Sequence, residues 1–373
     1  MLNHTRPGLS RVEVFLLIVI VLLIVALVLP AIQRTRTVYL DAECSNRLRA
    51  IGIASHNFHN DFNKLPAGYY SAVKEHGNNT KYTEDRGPHV GCLALLLPYL
   101  EQDAVFKQLC NTAVTWPTPS QDAAGTRPLN IDLKSESLHW WKEPGNLLAT
   151  TGQLRIKAFI CPLDDVDTAS VKTGIVSLQI ANGSFAYVST PNSNLMGRTN
   201  YVGVAGAAGD FDDTNGEKSK WHKFLGCLYN RSTLTLGRLT VQDGTSNTLL
   251  FGETLGSTGV GPRTTAFTWF GAGAMGTAYG LGRGNETGLD VVAPPSLGSM
   301  PTLGTTGASW FRFGSRHSNG VRFCMGDASV RTIRFGNTAW PDLSNVGFNV
   351  SDWVLLQILA GRNDGINTEP IDD

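Results

Sequence analysis

The chain has 373 residues, with 31 basic and 31 acidic side chains and therefore no net charge. Only 17% of the residues are charged while 42% are hydrophobic, a composition that excludes global intrinsic disorder. Because there is no basic excess to attract a phosphate backbone, the composition also argues against nucleic-acid binding. Beyond the N-terminal region, short apolar runs separated by Gly, Ser, Thr and Asn predict a β-rich structure with many loops.

The first element is an unbroken apolar run over Val14–Leu29, which continues for two more apolar residues past Pro30. A helix of about 20 apolar residues spans a bilayer core, so the run predicts a membrane anchor. Arg6 and Arg11 precede the run and favour a cytoplasmic N-terminus. No second run of this kind follows, so we expect a single-pass protein of the inner (cytoplasmic) membrane. Its head would then lie in the periplasm or at the cell surface.

Four residues around this run form a more specific pattern. If the chain is cut after Gly8, Leu9 becomes the first residue of the mature protein, Glu13 the fifth and Pro30 the twenty-second. This pattern resembles the type IV prepilin cleavage and methylation signal. The resemblance implies cleavage by a prepilin peptidase, methylation of Leu9 and assembly with itself or with other pilin-like subunits. Arg11 departs from it, because the third mature residue of pilins is usually neutral.

Glu13 has two interpretations. As an acid in a membrane segment it could accept the charge of the N-terminal amine of a neighbouring subunit, which would set the register of stacked subunits. The simpler interpretation is that Glu13 lies at headgroup depth and caps the N-terminus of its own helix.

We expect the helix to continue past Pro30 to about Asp61. An apolar stripe at helical spacing predicts the face that packs on the head, and it consists of Leu48, Ile51, Phe58 and Phe62.

The region from Cys44 to Gly68 resembles a bacterial, planctomycete-type family of prepilin-like proteins, domain-of-unknown-function family 1559. Five later segments match the family pattern in order: Leu96–Gln102, Phe159–Asp164, Thr199–Gly203, Asp243–Thr248 and Arg316–Asp327. The last segment contains the hallmark of the family, a His followed after nine residues by Asp-Gly. Here the residues are His317 and Asp327, and Ala328 replaces the Gly. If that Gly adopts a positive φ, we expect the turn to differ in this chain.

His317 and Asp327 could form an acid–base pair or two metal ligands. Between them, however, Val321–Met325 predicts a strand, and Ser329–Ile333 continues the β pattern after a turn. A hairpin explains the spacing without chemistry, with His317 bonded to a loop carbonyl and Asp327 closing the turn through its own backbone. We therefore favour a structural role and no enzymatic activity. Asp243–Thr248 is similarly interpreted as a turn entering a strand, since it lacks the phosphate-loop pattern.

One acidic loop is a candidate calcium site, because crowded oxygen ligands suit Ca²⁺. Its candidate ligands are Asp210, Asp212, Asp213, Asn215 and Glu217. The spacing is not that of an EF-hand, and a solvated acidic loop without a metal is the more frequent arrangement. No other cofactor is expected.

All six cysteines follow the membrane run, so an extracytoplasmic head would permit disulfides. Cys44 lies on the long helix and Cys161 in a family segment, which favours a bond between them. Six cysteines allow fifteen pairings, and buried free thiols remain the alternative. The adjacent Trp140 and Trp141 could stack on sugars, although most large aromatics are core residues.

Together these observations predict an α+β protein with a type IV pilin-like organisation. Residues 1–8 would be a leader, 9–62 a transmembrane and head-docking helix, and 63–373 a β-rich head. The first hypothesis is a structural pilin or pseudopilin that assembles into a type IV pilus or a type II secretion-like structure. The alternative is a monomeric anchored surface protein whose head binds glycans or calcium. A hydrolase built on His317 and Asp327 is the weakest hypothesis.

Overall fold

The computed structural model describes residues 10–71, 88–109, 140, 151–167, 173–180, 184–189, 193–210, 220–261, 263–288, 306–338 and 351–365. Within these ranges the chain is α+β: a long N-terminal helix is followed by a head that contains four β-sheets.

Helix α1 spans Arg11–Phe62 and is 52 residues long. Pro30 lies inside it without ending it, although its ring nitrogen has no proton to donate to the helix ladder. Asn63 ends the helix by adopting the left-handed conformation, with φ of 54°, and its N–H donates to His59 O at 2.7 Å. The predicted end near Asp61 is therefore correct to within one residue.

Four shorter helices are described after α1: α2 Cys92–Leu96, α3 Asp103–Leu109, α4 Leu236–Val241 and α5 Asp352–Ala360. Single 3₁₀ turns cover Leu97–Leu100, Lys157–Phe159, Ser193–Leu195 and Lys220–Phe224. The first seven strands are β1 Tyr69–Tyr70, β2 Val90–Gly91, β3 Thr173–Ile180, β4 Ser184–Ser189, β5 Arg198–Thr199, β6 Tyr201–Val204 and β7 Leu249–Glu253. The remaining strands are β8 Thr265–Thr268, β9 Ala274–Met275, β10 Leu281–Arg283, β11 Phe313–Ser315, β12 Gly320–Met325 and β13 Val330–Arg334.

The largest sheet has the strand order β13-β12-β7-β6-β9. All its neighbours are antiparallel except β6 and β9, which run parallel. A second sheet has the order β4-β3-β8-β5, and two small sheets pair β1 with β2 and β10 with β11. β7 is central in the largest sheet and is buried along its whole length, which fits its near-continuous apolar sequence.

The largest sheet separates two apolar clusters. Because successive side chains of a strand point to opposite faces, β12 sends Cys324 into one cluster and Phe323 and Met325 into the other. The Cys324 side is covered by the C-terminal part of α1. The opposite side is covered in part by α5. Trp353 of α5 donates from Nε1 to Ala278 O at 2.7 Å and so helps to hold α5 in place.

The predicted apolar stripe of α1 packs on the head. Leu48, Ile51 and Phe58 are fully buried, and Phe62 is half-buried against the same cluster. Burying each such side chain contributes about 1.5 to 3 kcal/mol, so the stripe stabilises the packing of α1 on the head. The N-terminal half of α1, by contrast, is exposed throughout Val12–Leu29. Among the described helices α1 alone is long and apolar enough to cross a membrane.

The predicted hairpin is confirmed. β12 and β13 pair antiparallel with Cys324 opposite Val330, and the turn lies between them. Ser329 N–H donates to Asp327 Oδ1 at 2.8 Å, so Asp327 closes this turn through the local backbone, as the spacing predicted.

The expectation that this turn must differ because Ala328 replaces a Gly is wrong. Ala328 adopts φ of 65°, the left-handed conformation that a Gly would adopt at lower cost. Its methyl group is buried against α1 in the apolar cluster, and this contact offsets part of the backbone strain.

Gly52 is where α1 comes closest to this hairpin. A Cβ on Gly52 would overlap Cys324 Sγ and lie 3.0 Å from the Ala328 Cβ. Gly52→Ala should therefore lower the free energy of unfolding by about 1 to 3 kcal/mol, although Ala is the better helix former. Urea denaturation of the detergent-solubilised chain measures the change.

The control is a double-mutant cycle with Cys324→Ala, which removes the overlapping sulfur. We expect Gly52→Ala to cost at least about 1 kcal/mol less in the Cys324→Ala background than in the wild type. Equal costs in the two backgrounds would show that Gly52 is not the contact point.

Candidate functional site

The first two residues of the N-terminal signal, Gly8 and Leu9, lie outside the described residues, which begin at Ser10. Ser10 is the N-cap of α1 and forms a capping box with Glu13. Ser10 N–H donates to Glu13 Oε2 at 2.8 Å, and Glu13 N–H donates to Ser10 Oγ at 3.3 Å. Two backbone donors at the exposed helix end are thereby satisfied. Within a single chain Glu13 makes the contacts expected under the simpler of its two interpretations.

A disulfide joins α1 to the head. It links Cys44 to Cys161, with a Cα–Cα distance of 4.9 Å, and it is the pair that the sequence favoured. Arg47, one turn further along α1, donates from Nη1 to Ile160 O at 2.6 Å. The Tyr201 hydroxyl of β6 donates to Cys44 O at 3.2 Å. The junction between helix and head is thus both covalent and hydrogen-bonded.

His317 lies beside this disulfide, with only 4% of its side chain exposed. Its Nε2 is 3.0 Å from Glu253 Oε1 and 3.9 Å from Cys161 Sγ. Its Nδ1 is 2.6 Å from Asp41 Oδ1, an ion pair when the ring is protonated. The prediction that His317 bonds a loop carbonyl is therefore wrong. α1 and β7 bring two carboxylates to the ring, and these form stronger, charge-assisted contacts.

Arg322 completes this charged cluster from β12. Its guanidinium pairs with Asp41, and its backbone N–H donates to Glu253 Oε2 at 3.1 Å. Burial lowers the pKa of His317, but the hydrogen bond and the charge of Glu253 outweigh burial, so the pKa is raised above its ordinary value. With His317 protonated, the cluster contains two cations and two carboxylates and is neutral.

His317 and Asp327 do not form a pair. The contacts of Asp327 among the described residues are those of the hairpin turn, whereas His317 contacts carboxylates of α1 and β7. In this chain the two residues therefore belong to two separate structural features. The sulfur nearest His317 belongs to a disulfide and is not available as a thiolate nucleophile.

Four side chains at this junction, His317 among them, present atoms that could bind a metal. These are Cys44, Cys161, Glu253 and His317, all buried, with one ligand atom each and all four atoms within 4.8 Å of one another. In the disulfide-bonded chain the two sulfurs are bonded to each other.

The calcium candidate lies almost entirely outside the described residues, which include only Asp210 of its five ligands. Asp210 Oδ1 is 3.4 Å from His222 Nδ1. Of the tryptophan pair proposed to stack on sugars, Trp140 is fully buried and packs edge-to-face on Phe270, which makes it a core residue. Trp141 lies outside the described residues.

A second buried cluster was not predicted from the sequence. Asp164, with 2% of its side chain exposed, accepts from Arg263 at both oxygens, at 2.6 and 2.9 Å. Arg316 Nε donates to the same carboxylate at 2.8 Å, and Asn200 Nδ2 at 2.6 Å. Burial raises the pKa of Asp164, but the two arginines outweigh burial and hold the pKa below its ordinary value. Arg316 and His317 are adjacent in sequence and thus connect the two clusters.

The sequence does contain a signal for Glu253 and Arg322. Glu253 follows Phe251 by two positions in β7, and Arg322 precedes Cys324 by two positions in β12. Alternation therefore places both on the face that α1 covers. An acid and a base at buried, inward-facing positions of neighbouring strands indicate an ion-pair network.

The family comparison covers both clusters. The model of a protein of unknown function, DUF1559, matches residues 41–334, from Asp41 in α1 to the last residue of β13. No curated protein and no solved structure shows a significant match to the chain. The matched range includes the disulfide, His317, Asp327 and Asp164, and it spans well over half of the sequence. The chain therefore belongs to the DUF1559 family of proteins of unknown function.

Proposed function

We propose that this protein is a structural pilin- or pseudopilin-like subunit, without enzymatic activity, that is anchored and assembled through α1. One observation carries the proposal: a single 52-residue helix has an exposed apolar N-terminal half and a C-terminal half packed on a sheet-containing head. In the proposal a prepilin peptidase cuts after Gly8, and Leu9 is methylated. The products assemble into a type IV pilus or a type II secretion-like structure.

The dimensions of α1 support assembly over simple anchoring. At 1.5 Å per residue, the apolar run of Val14–Leu29 and the next few residues are about 30 Å long, which matches a bilayer core. Eleven residues lie between Ile32 and Cys44, the first disulfide residue, which corresponds to a rise of about 18 Å. This connecting segment carries Val38 and Tyr39, whose exposed fractions are 67% and 66%. Packing against the helices of other subunits would bury these side chains.

The disulfide supports the proposed orientation. Structural disulfides form in oxidising compartments outside the cytoplasm, and Cys44–Cys161 links the helix to the head. Arg6 and Arg11 precede the apolar run and would remain on the cytoplasmic side. The proposal therefore places the head in the periplasm or at the cell surface.

A monomeric anchored surface protein is the second candidate, and the capping box favours it. Because Glu13 is already hydrogen-bonded to Ser10 of its own helix, it does not require a neighbouring subunit to satisfy its carboxylate. In this candidate α1 is only an anchor, and the head binds glycans or calcium.

Processing provides the first test. Mass spectrometry of the protein from its native host should find Leu9 as the N-terminal residue, carrying a methyl group. An intact Met1, or a cut after residue 30, would remove the pilin-like proposal.

Assembly provides the second test, with Glu13→Ala as the variant. In a filament the carboxylate must meet the amine of another subunit inside the membrane, where an unpaired charge costs several kcal/mol. Glu13→Ala should therefore leave cleavage and membrane level intact but reduce incorporation into the sheared surface fraction at least about tenfold. Cross-linking of intact cells should lose the ladder of oligomers in parallel.

Ser10→Ala is the matched control, because it removes the capping hydroxyl and leaves the acid. We expect this variant to assemble like the wild type if Glu13 acts between subunits. If neither variant reduces assembly, or if both reduce it equally, Glu13 acts only as a cap and the anchored monomer becomes the better candidate.

A further inference from the structure

The geometry points to a zinc site at the junction of α1 and the head, formed when the Cys44–Cys161 disulfide is reduced. We propose that the two cysteine sulfurs, His317 Nε2 and Glu253 Oε1 then bind one Zn²⁺. The site is separate from the acidic loop considered for calcium, and it does not depend on assembly into a filament.

The donor set fits zinc. Thiolate, imidazole and carboxylate are the three ligand types that zinc takes in proteins, and structural zinc sites are four-coordinate and closed to solvent. The two thiolates disfavour the hard cations Ca²⁺ and Mg²⁺, which take oxygen ligands. All four residues are buried, and their ligand atoms lie within 4.8 Å of one another.

The observed distances are close to those of a tetrahedral site. With zinc–ligand bonds of about 2.0 to 2.3 Å, neighbouring ligand atoms of a tetrahedron lie about 3.3 to 3.8 Å apart. Cys161 Sγ is already 3.9 Å from His317 Nε2, and that nitrogen is 3.0 Å from Glu253 Oε1. The remaining pairs of ligand atoms lie within 4.8 Å of one another. The two sulfurs must separate, and breaking their bond allows the rotation about both Cα–Cβ bonds that adjusts these distances.

Asp41 and Arg322 provide the surroundings that zinc-bound histidines need. A ligating histidine usually presents its second ring nitrogen to a carboxylate, which fixes the ring and its tautomer. Here Asp41 Oδ1 is 2.6 Å from His317 Nδ1, the ring nitrogen that the zinc would not use, and Arg322 pairs with Asp41. The second Glu253 oxygen is held by Arg322 N–H at 3.1 Å, which leaves Oε1 directed at Nε2.

The conversion balances with a dithiol reductant. The dithiol transfers two electrons and two protons to the disulfide, producing two cysteine thiols, and leaves as its own disulfide. Zn²⁺ then displaces one proton from each thiol and any proton on His317 Nε2. Because Cys44 belongs to α1 and the other three ligands to the head, zinc would tie helix to head as the disulfide does in the oxidised chain.

The test uses the full chain in detergent micelles and Co²⁺ as a spectroscopic probe for zinc. Oxidised protein and protein reduced with a phosphine are each freed of reductant and titrated with Co²⁺ under anaerobic conditions. Reduced protein should bind one additional Co²⁺ per chain, with the d–d bands of a tetrahedral ion and a thiolate-to-cobalt charge-transfer band. One equivalent of Zn²⁺ should abolish these bands. Reduced protein that binds no more Co²⁺ than oxidised protein would overturn the proposal.

Three variants separate this site from the other thiols. The double variant Cys44→Ala/Cys161→Ala should lack the bands with and without reductant, while the other four cysteines, Cys92, Cys110, Cys227 and Cys324, remain. Glu253→Gln should weaken Co²⁺ binding more than tenfold, with disulfide formation in the oxidised sample reporting that the junction still folds. Asp41→Asn should weaken it about 10- to 100-fold without removing a ligand. Unchanged bands in all three variants would place the metal elsewhere and refute the assignment.

Discussion

Replacing Asp164 with Ala should lower the free energy of unfolding by about 3 to 5 kcal/mol, because it leaves a buried arginine without its counter-charge. The Arg263 side chain is 4% exposed, and both of its terminal nitrogens donate to Asp164. Removing one partner of such a pair costs far more than the pair contributes relative to apolar residues. Urea denaturation of the detergent-solubilised chain, followed by tryptophan fluorescence, measures the loss.

Asp167→Ala is the matched control, only three residues away. Asp167 also pairs with an arginine, Arg155, but their side chains are 37% and 55% exposed. Water screens such a pair, so the variant should change stability by at most about 1 kcal/mol. If the two variants lose similar amounts, the buried cluster does not have the energetic role that its burial indicates.

The same residue sets a pH dependence. The folded-state pKa of Asp164 is held below its ordinary value, so its contribution to stability is fully present above the unfolded pKa of about 3.9. That contribution is lost as the pH falls through the lowered pKa. The stability difference between wild type and Asp164→Ala should therefore be constant near neutral pH and shrink below about pH 4. A difference that grows in acid would contradict this sign.

The second large effect concerns the disulfide. The double variant Cys44→Ala/Cys161→Ala should lose about 4 to 5 kcal/mol in the chain-entropy model, since the bond closes a loop over a sequence separation of 117 residues. The measurement is urea denaturation of the oxidised full chain in the presence of a chelator, so that no metal can stabilise the junction.

Cys227→Ala controls for the loss of a buried sulfur alone, because Cys227 is a buried free cysteine. We expect it to cost about 1 kcal/mol, the transfer free energy of a small apolar group. Equal losses in this variant and in the double variant would show that the disulfide adds nothing beyond packing.

Local patterns predicted much of the fold. The end of α1, its buried stripe and the hairpin of β12 and β13 all follow from side-chain periodicity and turn residues that lie within about 15 positions of each other. The helix α5 likewise fits local signals, namely the apolar run that begins at Trp353 and the Gly361 that follows it. These features depend on neighbours in sequence, which a single chain displays directly.

The partners of His317 could not be found in this way. Asp41 and Glu253 are 276 and 64 positions away from it along the chain, and only the packing of α1 across β7 and β12 brings them together. The pair of His317 with Asp327 was considered only because a His and a carboxylate can act together, whereas their spacing predicted a hairpin. The conformation of Ala328 could not be predicted from its neighbours in sequence either. Its backbone adopts the left-handed conformation that favours Gly, and its methyl group packs in the apolar cluster with α1.

The position of the disulfide along α1 has a mechanical consequence. Among the α1 side chains that the structure describes, Cys44 is the first that is buried, and the packed stripe from Leu48 to Phe62 lies beyond it. A pull on the membrane end of the helix therefore reaches the ion pairs of Asp41 and then this covalent bond before it reaches the packed stripe. With the disulfide intact, force from that end does not separate the packed part of α1 from the sheet. Tension instead acts on the part of α1 that precedes the disulfide, between Ile32 and Cys44.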